Sequence, residues 1–162
     1  MEGWEVAPPD RYDELWAPFT ARYGFVPGAV PAIDEPTPSV TFDLSGFFTA
    51  AEQSAFNATE RAVNALALLA MTRVFGPDER VVALDWEHDC HWFHPHVQAV
   101  SAEPLWRLVV PNGDYYAFVS EDASTGTFGH PWEQTLCVFG RPMLDALAPL
   151  LAPLLPVIRD HR

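Results

Sequence analysis

The sequence has no lysine. Its nine basic residues are all arginine and stand against 22 aspartates and glutamates, a formal charge of −13. The bias toward Arg, Ala and Pro is that of GC-rich codons. The charge itself carries more meaning, because such a surface repels a phosphate backbone unless the arginines cluster. No nucleic-acid partner is therefore expected, and a basic protein or a cationic ligand is favoured. Long apolar runs are also missing. Residues 143–158 are the longest, but Pro149, Pro153 and Pro156 interrupt them and they are too short to span a bilayer. The first residues, Met1-Glu-Gly-Trp-Glu-Val, lack the basic and apolar regions of a secretory signal. No membrane association and a cytoplasmic location are expected. The two cysteines, Cys90 and Cys137, then read as reduced, small buried hydrophobes.

Motifs with a fixed chemistry are absent too. There is no HExxH, no paired CxxC, no GxSxG elbow, no phosphate loop and no dinucleotide fingerprint. No cofactor and no metal are expected, and whether the chain is an enzyme is left open.

What is present is a globular composition, 49% hydrophobic and 19% charged, which fits a single domain over 1–162. Tyr12, Leu15, Trp16, Phe19 and Tyr23 recur at helical spacing, so residues 10–23 predict a helix closed by Gly24. Four prolines make 26–38 an irregular connector running over the surface, with a turn at Asp34-Glu35-Pro36. Residues 39–44 alternate as a half-buried strand. Thr49 and Glu52 have capping-box spacing ahead of a long Ala-rich helix to about Phe75, whose apolar face carries Phe56, Val63, Ala67, Ala70 and Val74. The period then changes to two. Strands are predicted over 81–87, 90–93, 105–110, 115–120 and 134–139, with a hairpin at Pro111-Asn-Gly-Asp114 and a loop over 121–127. Pro142 opens a final helix that should fray or kink at Pro149. The class is α+β: an antiparallel sheet of five or six strands against an N-terminal, a long central and a C-terminal helix.

Four of six histidines fall between residues 88 and 96. In an extended chain His88, Cys90, His94 and His96 would share a face, with His91 opposite. Extended spacing spreads such ligands too widely for one ion, and a turn near Glu87 would break the parity, so histidines bonded beside aromatic core residues are favoured over a metal set. In Gly129-His-Pro-Trp-Glu133, Gly and Pro fix the backbone around His130. If this corner packs near the first motif, His88, His130, Glu87 and Asp114 form an acid/base group. Trp86, Trp92, His94, Trp132 and Tyr115 would line the ligand site.

Pro36-Thr-Pro-Ser-Val-Thr-Phe-Asp43, Leu84-Asp-Trp-Glu-His88 with Trp92-Phe-His-Pro-His96, Pro111-Asn-Gly-Asp-Tyr-Tyr116 and Gly129-His-Pro-Trp-Glu-Gln-Thr-Leu136 followed by Phe139-Gly140 resemble the bacterial domain-of-unknown-function family numbered 2716. With the first helix these stretches cover most of the chain. The family's pattern differs at His91 and His94, which weighs against a metal role for those two. The resemblance implies a domain and no particular activity.

Two functions are carried forward. One is an acidic binding domain that docks a basic protein partner, as an immunity protein docks a toxin. The other is a small-molecule accessory or tailoring enzyme, with His88 and His130 as acid/base groups in a Trp-lined pocket.

Overall fold

The computed structural model describes residues 2–48, 53–105 and 108–162. Its centre is one eight-stranded sheet in which every pairing is antiparallel, where the sequence predicts five or six strands. The strands are β1 (Trp4–Val6), β2 (Ser39–Asp43), β3 (Val81–Asp85), β4 (His91–Phe93), β5 (Tyr116–Val119), β6 (Gly126–His130), β7 (Thr135–Phe139) and β8 (Val157–Asp160), in the order β1-β4-β3-β5-β6-β7-β2-β8.

The additional strands are the ones that periodicity hides. β1 is three residues long, β6 has glycine at two of five positions, and β8 lies beyond prolines in a stretch whose apolar content resembles helix. The predicted strand at 105–110 is corrected. Residues 108–110 are bends, so Pro111–Asp114 turns the chain into β5 without closing a hairpin, and β5 pairs with β3 and β6 instead.

Helix α1 (Tyr12–Tyr23) follows a short 3-10 turn at Pro9–Arg11 and buries Trp16, Phe19 and Tyr23. Gly24 ends it in the left-handed region, its N–H donating to the Thr20 carbonyl at 2.8 Å. A short helix α2 (Ser45–Phe48) precedes α3 (Gln53–Val74), which buries Val63, Ala67, Ala70 and Met71. The predicted capping box at Thr49 and Glu52 lies outside the described residues, as does the side chain of Phe56. Helix α4 (Pro95–Val100) was not expected; Pro95 opens it and fixes φ for its first turn. In α5 (Arg141–Leu151) Arg141 is the first residue and Pro142 the second, within the first turn, and the helix continues past Pro149 to Leu151 before Pro153 and Pro156 intervene.

The sheet is covered on both faces. Val40, Phe42, Val81, Ala83, Phe118, Leu136 and Val138 pack with α3 and α5 on one side. Val82, Leu84, Tyr115, Ala117, Phe128, Cys137 and Phe139 meet α1 and the connector on the other. This corrects the half-buried reading of the first long strand, since Ser39 and Thr41 are as buried as Val40 and Phe42. It also corrects the surface course of the connector, whose Ala32, Ile33 and Pro36 are buried. Among the described residues no helix is long and apolar enough to cross a membrane.

Gly140, at the β7–α5 junction, has φ +76°, and a Cβ there would lie 2.6 Å from the Ser124 carbonyl oxygen and Thr125 Cα. Gly113 has φ +89° with nothing within 4 Å of a Cβ. Gly140→Ala should therefore cost about 2 kcal/mol or more, from strain plus overlap, and Gly113→Ala only about 1 kcal/mol from strain. Urea midpoints at unchanged m-value measure both; equal shifts would contradict the packing at Gly140.

Candidate functional site

The histidine run disperses rather than converging. Glu87 adopts φ 64°, and the turn it makes between β3 and β4 breaks the strand parity. His91 is buried with its ring edge-on to Trp4 at 5.7 Å. His94 caps α4 and lies 3.8 Å from Glu5, while His96, on α4, bonds through Nε2 to the Phe75 carbonyl at 2.8 Å.

His88 is the exposed member, and it sits against two carboxylates. Its Nδ1 is 3.3 Å from Asp85 Oδ1, 3.3 Å from Asp114 Oδ2 and 3.1 Å from the Trp86 carbonyl. Sheet pairing creates this group: Asp85 ends β3 opposite Tyr116, and Asp114 lies two residues before Tyr116. His88 also lines a cavity of about 480 Å³ with Ala7, Pro8, Pro9, Tyr12, Glu87, Asp89 and Cys90. Glu87 is exposed, and its N–H donates to the Tyr12 hydroxyl at 3.2 Å.

His130 lines a different cavity, of about 290 Å³, between the connector and the sheet. Its Nδ1 accepts the Glu133 N–H at 3.1 Å, which leaves the neutral ring's proton on the buried Nε2, facing the Ala29 backbone. Burial is the main cause holding its pKa below the usual histidine value, while Glu133 and the Ala29 backbone oppose it. His88 and His130 thus line separate cavities, and the chain links them only through neighbours: Asp114 contacts His88, and Tyr115 lies edge-on to both His130 and Trp132 at 5.0 Å.

The aromatic candidates divide. Tyr115 is fully buried, stacks on Phe128 and accepts the Gly28 N–H at 3.0 Å, so it pins the connector. Trp86 packs among Tyr12, Trp16 and Phe25. Trp92 is buried, with the guanidiniums of Arg80 and Arg11 at 4.3 and 5.6 Å from its ring. Trp132 is 64% exposed and open to a ligand.

Sequence reasoning missed the polar wall of the His130 cavity. Arg159, on β8, donates to Glu35 at 2.7 Å and bidentately to Glu133 at 3.0 and 3.3 Å. Thr41 donates to Glu35 and Thr135 to Glu133, and His161 lies 3.1 Å from Glu35. Burial pushes both glutamates upward, but the hydroxyl and guanidinium hydrogen bonds outweigh it and hold both below the usual carboxylate value. Arg159 is 124 positions from Glu35 and 26 from Glu133, and the β2–β7 and β2–β8 pairings bring the three together. Cys137 borders the same cavity; burial pushes its thiol up to about 12, and Cys90 is raised for the same reason, so neither is an activated nucleophile.

A second missed feature lies at the other end of β3 and β5. A cleft of about 570 Å³ is lined by Phe75, Asp78, Glu79, Arg80, His94, Ser120, Glu121 and Asp122, four carboxylates against one arginine. That arginine is engaged by the Trp92 ring and by Glu121 at 3.4 Å. Hydrogen bonds from the Ser120 hydroxyl and from the Ser124 N–H and hydroxyl bring Asp122 down to about 2.

Fold and sites define a mixed helix-and-strand domain built on one antiparallel sheet. The chain belongs to the family described as proteins of unknown function (DUF2716), whose model matches residues 9–144. It is similar to the uncharacterized protein YxiI of Bacillus subtilis (strain 168), with 31% identity over 152 residues, covering 91% of this chain and 93% of the relative. No solved structure matches.

The titrations give stability a pH dependence of definite sign. His130 has a lowered folded pKa, so its contribution is whole above the unfolded value of about 6.5 and is lost as pH falls toward the folded value. Glu35 and Glu133 are also lowered, so their contribution is present above about 4.3–4.5 and is lost as pH falls through their folded values. Urea unfolding from pH 7.5 to 3.5 should show two acid-side losses. His130→Gln should flatten the upper one and Arg159→Met the lower; an upper loss unchanged in His130→Gln would contradict the assignment.

Proposed function

We propose that this protein is an acidic binding domain that docks a basic protein partner through the cleft between Phe75–Arg80 and Ser120–Asp122. The observation that carries the proposal is the charge of that cleft: four carboxylates line it, and its one arginine is already held by Trp92 and Glu121. A lysine or arginine side chain from a partner could lay its aliphatic stem on Phe75 and place its cationic head among Asp78, Glu79, Glu121 and Asp122. The rest of the surface supports the same polarity. Arg11, Arg141, Arg159 and Arg162 are each paired with a carboxylate of this chain, so much of the positive charge is internally satisfied. An excess of negative charge speeds encounter with a cationic surface and gives an interaction that weakens as salt screens it.

The alternative is a small-molecule accessory enzyme with His88 and His130 as its acid/base pair. It takes second place because the two imidazoles line separate cavities and His130 Nε2 is buried. The small His130 cavity, with exposed Trp132 nearby, remains its best support.

Calorimetric titration with a short arginine-rich peptide tests the binding reading. Binding should be detectable at low ionic strength and fall steeply with added salt. The double variant Asp78→Asn/Glu121→Gln, at exposed positions, should weaken it by about two- to tenfold, the scale of one or two exposed ion pairs. Undiminished binding in the double variant, or none by the parent protein, would count against the cleft.

A further inference from the structure

We infer that Asp85, His88 and Asp114 form a site for a single divalent transition-metal ion of the zinc class. The three side chains offer one ligand atom each, and these atoms lie within 4.8 Å of one another. Ligands at zinc distances of about 2.0–2.1 Å in tetrahedral geometry stand about 3.3 Å apart. His88 Nδ1 is 3.3 Å from an oxygen of each aspartate, so two edges of such a tetrahedron are already in place. A rotation of the Asp114 carboxylate, which is a quarter exposed, would bring the third edge in.

Charge and burial are an independent argument. Two carboxylates converge on one imidazole nitrogen, and the Asp85 side chain is only 6% exposed. A protonated imidazole neutralises one of the two negative charges, whereas a divalent ion on neutral His88 neutralises both, which matters most for the buried partner. Binding displaces the proton from Nδ1, now directed among the two aspartates and the Trp86 carbonyl, and the neutral ring then carries its proton on Nε2. The half-exposed His88 and the quarter-exposed Asp114 give an ion a route in from solvent and leave its fourth position to water. Nitrogen plus carboxylate oxygen suits zinc, manganese or iron better than a soft ion. Cys90 is not among the side chains whose ligand atoms come together here.

The sequence argued against a metal because it placed all the ligands on one strand. The structure draws them from the end of β3, the turn after it and the approach to β5, the convergence that a compact ligand set needs.

Calorimetric titration of the full chain with Zn²⁺ tests the inference. The parent protein should bind one ion, and His88→Ala and Asp114→Asn should each weaken binding by more than about tenfold. His161→Ala, an exposed histidine after β8 and outside the trio, should leave it unchanged. Both informative substitutions are at exposed or part-exposed side chains, so the result does not depend on the buried Asp85 tolerating change. No zinc binding by the parent protein, or binding that survives either substitution, would overturn the site.

Discussion

A sheet covered on both faces has to be sealed on each, and one of its seals is not regular structure. Helices α3 and α5 cover the first face with a continuous apolar layer. Helix α1 covers only part of the second, and the Pro-rich connector closes the rest. A segment without its own hydrogen-bond ladder must be fixed by side chains. Here Tyr115 receives the Gly28 N–H, His130 faces Ala29, and Arg159 clamps Glu35 to Glu133 across β2, β7 and β8. The guanidinium fork suits this task, because it meets two carboxylates at once in a part-buried position where charge-assisted bonds are stronger than at the surface. Residues that look catalytic by type therefore act largely as connector anchors.

The two candidate sites lie at the two ends of the β3–β5 pair. At one end the strands finish in Asp85 and Tyr116, and the turn beyond carries His88 back to Asp85 and Asp114. At the other end Arg80 and Ser120 open into the carboxylate-rich cleft beneath Phe75. The antiparallel register separates them, so an ion at the first end and a cationic partner at the second could be bound independently. Arg11 and Arg80 both lie against the Trp92 ring, and Arg80, paired with Glu121, offsets one of the cleft's four carboxylates.

Much of the fold was legible in the sequence. The periodic stripe of α1, its Gly24 stop, the Ala-rich α3 and the α+β class all follow from spacing and punctuation. What escaped was decided by tertiary pairing. β6 holds two glycines and β8 follows a proline, so neither has a local signal, yet each finds an edge to join. The sites show the same division. His88 and Asp114 were legible as chemistry-bearing residues, and the turn at Glu87 was foreseen as the event that would scatter the histidines. Asp85 as their partner, Arg159 with its two glutamates and the acidic cleft all depend on contacts between distant strands, which no local pattern encodes.

The central claim is that the cleft at the Arg80–Ser120 end is where a basic partner docks. It is tested most directly by mapping an arginine-rich peptide onto the isotopically labelled protein by amide chemical-shift perturbation at low salt. Shifts should concentrate at residues 78–80, 94 and 120–122 and fade together as salt rises. Shifts centred on His130, Trp132 and the connector, with the 78–80 and 120–122 amides unmoved, would contradict it and favour the small-molecule cavity instead.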